Sequence, residues 1–168
     1  MATRKKGSRT MADSKSSKKL FKRKSFSYGK KATLNKLRDE LDYWFGRYVR
    51  ATACDDSQMS KCYTCDKVLH VSEVRAGHFI SRRFLATRWD LDNVRPQCYN
   101  CDHTMQGMQW EFGRRLDEEM EGKANEIAQR SKSKSRLTHG VLKAAIEHYS
   151  SEVERISKEK GLTWNKRK

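Results

Sequence analysis

Residues 62–103 read CYTCDKVLHVSEVRAGHFISRRFLATRWDLDNVRPQCYNCDH. Two C-x2-C knuckles, Cys62–Cys65 and Cys98–Cys101, bracket this stretch with 32 residues between them. Each knuckle turns two sulfurs toward one ion. Two knuckles supply four thiolates at the corners of a tetrahedron, the closed arrangement of structural Zn²⁺. Disulfides and redox C-x2-C pairs are the alternatives. The N-terminal residues lack the apolar run of a secretory signal, so export is not expected and structural disulfides are disfavoured. Two redox dithiols in one small basic protein fit poorly. The reading is a zinc-stapled region with a long insert between the knuckles. Cys54 lies outside both pairs and reads as a buried bystander thiol.

Outward from the knuckles the chain divides by composition. Residues 1–32 hold twelve Lys and Arg against one acid, Asp13, and are rich in Ser. Such a segment cannot bury enough apolar surface to offset its ordering entropy, which predicts a disordered basic arm. Over the whole chain, 37 Lys and Arg face 21 Asp and Glu, a net charge of +16. A polyanion is the natural partner, bound through counterion release. A solubilising tail or a localisation signal is the alternative for the arm. No apolar run reaches the length of a membrane span, so no membrane partner is expected.

Residues 33–60 read as a helix and loop. Thr33 is the cap, and Leu34, Leu37, Leu41, Trp44, Phe45 and Tyr48 recur at helical steps to about Arg50. Residues 61–129 read as the core, with short strands around 68–71 and 74–80. A helix follows from Tyr99, with Met105, Met108, Phe112, Leu116 and Met120 on one face. Residues 130–168 read as a basic linker and a last helix from Thr138, its face made by Val141, Leu142, Ala145, Ile146, Tyr149, Val153 and Ile156, with Gly161 as its stop. The fold class expected is α+β.

The insert carries the chemistry. Its order is a strand ending in His78, a loop, Asn93, the second knuckle, then Asp102 and His103 at a helix start. Phosphodiester cleavage needs a base to take a proton from water and a hard cation to neutralise phosphate charge. A neutral imidazole suits the first task, and a carboxylate holding Mg²⁺ or Mn²⁺ suits the second. Arg75, Arg82, Arg83, Arg88 and Arg95 crowd the same stretch and read as contacts to the DNA backbone, against the alternative of a solvated basic face. Phe84 and Trp89 read as core. His70, His139 and His148 read as structural or surface residues.

The run Ala76-Gly77-His78-Phe79, with Arg88-Trp89, Asn93-Val94, Gln97-Cys98-x-x-Cys101, Gly107 and Gly122–Ile127, resembles the lambda NinG (Rap) family of phage recombination endonucleases over roughly residues 33–160. More distantly it resembles endonuclease VII and other HNH enzymes. The resemblance implies a ββα-metal core and a structure-selective DNA endonuclease acting on Holliday junctions and D-loops in a bacterial cytoplasm. It implies His78 as catalytic base, Asn93 as the brace of the base's loop, Asp102 on the catalytic Mg²⁺ or Mn²⁺, and Cys62, Cys65, Cys98 and Cys101 on zinc. Gly77 stands where many HNH enzymes place another ligand, which leaves His103 and Asp92 as candidates. Asp102 replaces a usual Asn, and Met105 replaces a common basic residue. Two symmetric cuts imply a homodimer, with the apolar helices as its interface. The competing expectations are a non-catalytic zinc-dependent nucleic-acid-binding protein and an RNA-associated structural protein.

Overall fold

The computed structural model describes residues 33–164; the basic arm expected over residues 1–32 lies outside them. Thr33 caps the first helix, α1 (Leu34–Ala53), its Oγ1 accepting from the Lys36 amide at 3.3 Å. Thr138 does the same for α4 (His139–Glu159), accepting from the Val141 amide at 3.2 Å. A capping hydroxyl satisfies one amide that the first turn leaves without a partner. Between the two helices come β1 (Met59–Lys61), β2 (Val68–His70), β3 (Arg75–His78) and β4 (Val94–Gln97). A π-helical turn (Asn100–Thr104), α2 (Gln109–Glu119) and α3 (Lys123–Ser131) follow. β1 pairs antiparallel with β2, and β3 with β4, Gly77 lying opposite Arg95 and His78 opposite Val94. The α+β class is as expected.

The apolar faces of α1 and α4 are buried against one another. Leu37, Leu41, Phe45 and Val49 from α1, and Leu142, Ile146, Val153 and Ile156 from α4, are all buried. The helices run in the same direction. Phe45 and Tyr48 meet Tyr149, and at the far end the Lys160 ammonium donates to the Ala51 and Cys54 carbonyls that close α1. A cation on a helix C-terminus serves carbonyls that have no partner within the helix. The faces expected to form a dimer interface are therefore largely spent within one chain. Val141, placed on the apolar face by its spacing, is 53% exposed.

The helix expected from Tyr99 through Met120 is broken. Gln106, Gly107 and Met108 all have positive φ, at 50°, 88° and 48°. Three consecutive left-handed residues cannot continue a right-handed helix. The chain turns there and restarts as α2, burying Phe112 and Leu116 against Ile127 of α3. Met105 and Met120, read as part of the same face, are each 54% exposed, while Met108 packs on the cysteines. Cys54 is buried, as expected, its thiol donating to the Ala51 carbonyl at 3.3 Å.

Candidate functional site

The four knuckle sulfurs lie within 4.8 Å of one another, with Cys65 and Cys98 at 3.8 Å. A tetrahedron of Zn–S bonds near 2.3 Å sets its sulfurs about 3.8 Å apart. The four can hold a structural metal ion such as zinc. Local geometry prepares them. The Cys98 amide donates to Cys62 Sγ at 3.2 Å and the Cys101 amide to Cys98 Sγ at 3.4 Å. Asp66, with φ of 61°, turns the first knuckle, and Lys61 and Arg115 grip its carboxylate at 3.0 and 2.6 Å. Burial works against ionising Cys62, but the amides of Cys98, Thr64 and Cys65 and the Thr64 hydroxyl outweigh it, bringing its pKa down to about 6. Burial raises Cys65 and Cys101 instead. A bound dication supplies the charge that lets the remaining thiols ionise.

Beside this cluster, a cavity of about 1050 Å³ opens between α1, β3 and the turn after the second knuckle. His78 and Asp102 both line it, with Arg50, Arg75 and Arg82. Asp102, half-buried, makes no hydrogen bond or ion pair with any described residue, which leaves its carboxylate oxygens available as ligands or acceptors. Loop 79–93, which carries Arg82, is braced by Asn93, itself 0% exposed. Asn93 Oδ1 accepts from the Ile80 amide at 2.6 Å, and its Nδ2 donates to the Ile80 and Thr87 carbonyls at 2.9 and 2.8 Å. One buried amide side chain thus closes both ends of the loop.

His78 ends β3. Its Nε2 lies 2.9 Å from the Arg88 carbonyl oxygen and its Nδ1 3.2 Å from that of Ala76. A neutral imidazole has one N–H, so it satisfies one of these oxygens and turns a lone pair toward the other. Burial is the largest influence on the ring and lowers its pKa below the usual 6.5; the Arg82 charge acts in the same sense, against the two carbonyls. The ring is thus held neutral at pH 7, with neither nitrogen yet open to the cavity.

A residue that the sequence did not single out fixes this contact. Asp42 of α1 takes Arg88 in a fork, Nε to Oδ1 at 3.0 Å and Nη2 to Oδ2 at 2.5 Å, and its Oδ1 also accepts from Trp89 Nε1 at 2.8 Å. Asp42 so holds the backbone that faces His78. Arg88, read from the sequence as a DNA contact, is thus paired within the chain. So is Arg95, whose guanidinium pairs with Glu119 at 2.8 Å and donates to the Leu91 carbonyl. Arg75, Arg82 and Arg83 remain exposed and make no ion pair among the described residues; Arg75 lies over the Tyr99 ring at 4.7 Å.

The candidates for a second cation ligand lie elsewhere. His103 stacks on Tyr99 at 4.9 Å and does not line the cavity. Asp92 is taken by Lys123 and Arg130, each at 2.9 Å. Position 77 has no room for a ligand, because a Cβ there falls 1.9 Å from Gln97 Oε1 and 2.8 Å from its Cγ. Gln97 is fully buried and is itself fixed, donating to Thr64 Oγ1 and to the Gly107 carbonyl at 3.0 Å each. Gly77→Ala is therefore expected to cost about 2 kcal/mol through overpacking, read as a fall in thermal midpoint. Gly46→Ala, whose added methyl meets only Ala76 Cβ at 3.7 Å, should leave the midpoint unchanged or raise it slightly. Phe84 corrects another expectation. It is 46% exposed at the cavity, whereas Trp89 packs in the core with Phe45, Val49 and Val94.

Among the described residues, no helix is long and apolar enough to cross a membrane. Compared with protein-family models, curated proteins and solved structures, the chain matches none.

Proposed function

We propose that this protein is a metal-dependent endonuclease of HNH type that hydrolyses phosphodiesters in branched DNA, with zinc on its four knuckle cysteines. The observation that carries the reading is one cavity walled by a neutral imidazole, a carboxylate with no partner among the described residues, and three arginines. Its order supports the reading too: a strand ending in His78, a loop braced by a buried Asn, the antiparallel partner strand, then a helical turn bearing the acid. Resemblance to the NinG family points the same way.

In this mechanism Arg82 holds the backbone at the reacting phosphate and positions it without reading bases. His78 takes the proton of the attacking water at one ring nitrogen, while the other nitrogen donates to a carbonyl and fixes the tautomer. One carbonyl contact to the ring must therefore yield when substrate arrives. Asp102 would hold Mg²⁺ or Mn²⁺, which when bound would supply charge neutralisation at the phosphate. Apart from the cysteines, no three His, Cys, Asp or Glu among the described residues gather on one point. Substrate phosphate and water would thus complete the cation's shell, as is common for Mg²⁺.

The lowered pKa of His78 gives this reading a pH signature. The unfolded chain takes up this proton more readily than the folded one. The stability tied to the neutral ring is thus complete above the usual 6.5 and is lost as pH falls from 6.5 toward the lower folded value. The base stays competent over the same range, so the acid limb of kcat/KM for zinc-loaded protein should fall below pH 6.5. A limb above that value would point to another base.

A second reading is a zinc-dependent nucleic-acid-binding protein without catalysis, favoured by the carbonyl facing each His78 ring nitrogen. A cleavage panel of four-way junction, flap, D-loop, duplex and single strand, with Mg²⁺ and Mn²⁺, separates the two. Cutting of branched substrates supports the nuclease; binding without any cutting supports the alternative.

A further inference from the structure

Arg50 stands in the last turn of α1 and lines the same cavity as His78. Its Nε donates to the Gly46 carbonyl at 3.1 Å and its Nη1 to the Val74 carbonyl at 3.4 Å. The guanidinium lies over the Trp164 ring at 5.0 Å. It forms no salt bridge with any described carboxylate. Its charged neighbours make this costly, because Arg47 and Arg75 both repel it and only the Tyr43 hydroxyl acts in the opposite sense. Burial, the largest influence, and these like charges bring its pKa down to about 10, so it stays charged at pH 7. A half-buried, rigidly held cation with cationic neighbours and an open concave surface beside it is an anion site in physical terms.

We propose that Arg50 and Arg75 form a phosphate subsite that takes a second backbone phosphodiester, farther along the bound strand than the one at His78. The proposal rests on the nucleic-acid reading but not on catalysis. Val74, which Arg50 grips, and His78 are four residues apart along one extended segment, roughly 13 Å at the rise of a strand. A phosphate at Arg50 is therefore a different one from the phosphate at His78. Two anchored phosphates would set the direction of the strand through the cavity, and neither anchor reads sequence.

The test is the salt dependence of binding to a fixed four-way DNA junction. It is measured from about 50 to 200 mM salt, with Ca²⁺ and no Mg²⁺, on zinc-loaded full-length protein. Arg50→Gln and Arg75→Gln are each expected to weaken binding and to reduce the slope of log K against log salt by about 0.9, the loss of one phosphate contact. Arg50→Lys keeps the charge and should keep the slope. If Arg50→Gln fails to fold, Arg75→Gln, on the exposed start of β3, gives the same reading. Cutting is read separately, in the Mg²⁺ and Mn²⁺ cleavage panel. Wild type that binds the junction but never cuts it in that panel, with both Gln variants lowering the slope, removes the nuclease reading and leaves this subsite standing. Wild type that cuts in the panel, with both variants folded and at the wild-type slope, removes the subsite and leaves the nuclease reading. Absence of any DNA binding removes both.

Discussion

His78→Ala should lower the rate of junction cleavage by about 10²- to 10⁴-fold, the usual contribution of a positioned base, while junction affinity changes by no more than about threefold. That loss corresponds to roughly 3–5 kcal/mol of barrier. The asymmetry follows from the site. Affinity comes from exposed arginines on β3 and the braced loop, whereas the imidazole offers one neutral nitrogen to a proton. Truncation also removes the contact with the Arg88 carbonyl, so a fall in rate alone could report a shifted loop. His78→Gln answers this, since its amide still offers an N–H to that carbonyl and is not a base. Both variants should be equally inactive, with thermal midpoints separated by the loop contact. An active His78→Gln would remove the imidazole from the mechanism.

Cys98→Ser is the second large effect. Cys98 Sγ lies 3.8 Å from that of Cys65 and accepts from the Cys101 amide. Replacing one thiolate of four should reduce zinc from one ion per chain to well below one. Most of the metal's contribution is then lost, on the order of several kcal/mol, comparable with the net stability of a typical domain. The strands and the turn at Asn100–Thr104 should lose hydrogen-exchange protection. Much of the helical signal should survive, because α1 and α4 bury their faces on each other. Cys54→Ser is the control, since that thiol lies outside the four-cysteine cluster, bonds the Ala51 carbonyl and should leave zinc content unchanged. A Cys98→Ser protein with wild-type zinc content and midpoint would mean that the cluster is not a metal site.

Local signals made part of this molecule legible. Thr33 and Thr138 announce their helices because a cap depends on residues three apart. The knuckles announce a four-cysteine cluster able to hold a metal ion, because the spacing within each fixes two sulfurs and the fold has only to bring two pairs together. Asn93 bonds the Ile80 and Thr87 carbonyls across its loop.

What stayed hidden depends on distant pairing or on backbone conformation. The fork between Asp42 and Arg88 joins residues 46 apart, and nothing near either one distinguishes a clamped arginine from a free one. Arg95 is hidden in the same way by Glu119. The helical spacing of Met105, Met108, Phe112 and Leu116 continues across a break that three left-handed residues impose, because periodicity records side-chain type and not φ. Arg50 went unnoticed because a basic residue in a helix's last turn is ordinarily a favourable end charge. Only the fold shows that it walls a cavity beside other arginines.

The central claim is that His78 and Asp102 work as one reaction centre. The most direct measurement is the single-turnover cleavage rate of one four-way junction in Mg²⁺ by wild type, His78→Ala, Asp102→Ala and the double variant. Groups that act as a unit give strongly non-additive losses. The double variant should therefore be no slower than the slower single one, with wild type faster than all three by at least about a hundredfold. Losses that multiply in the double variant, or a wild-type rate in either single one, would contradict the claim.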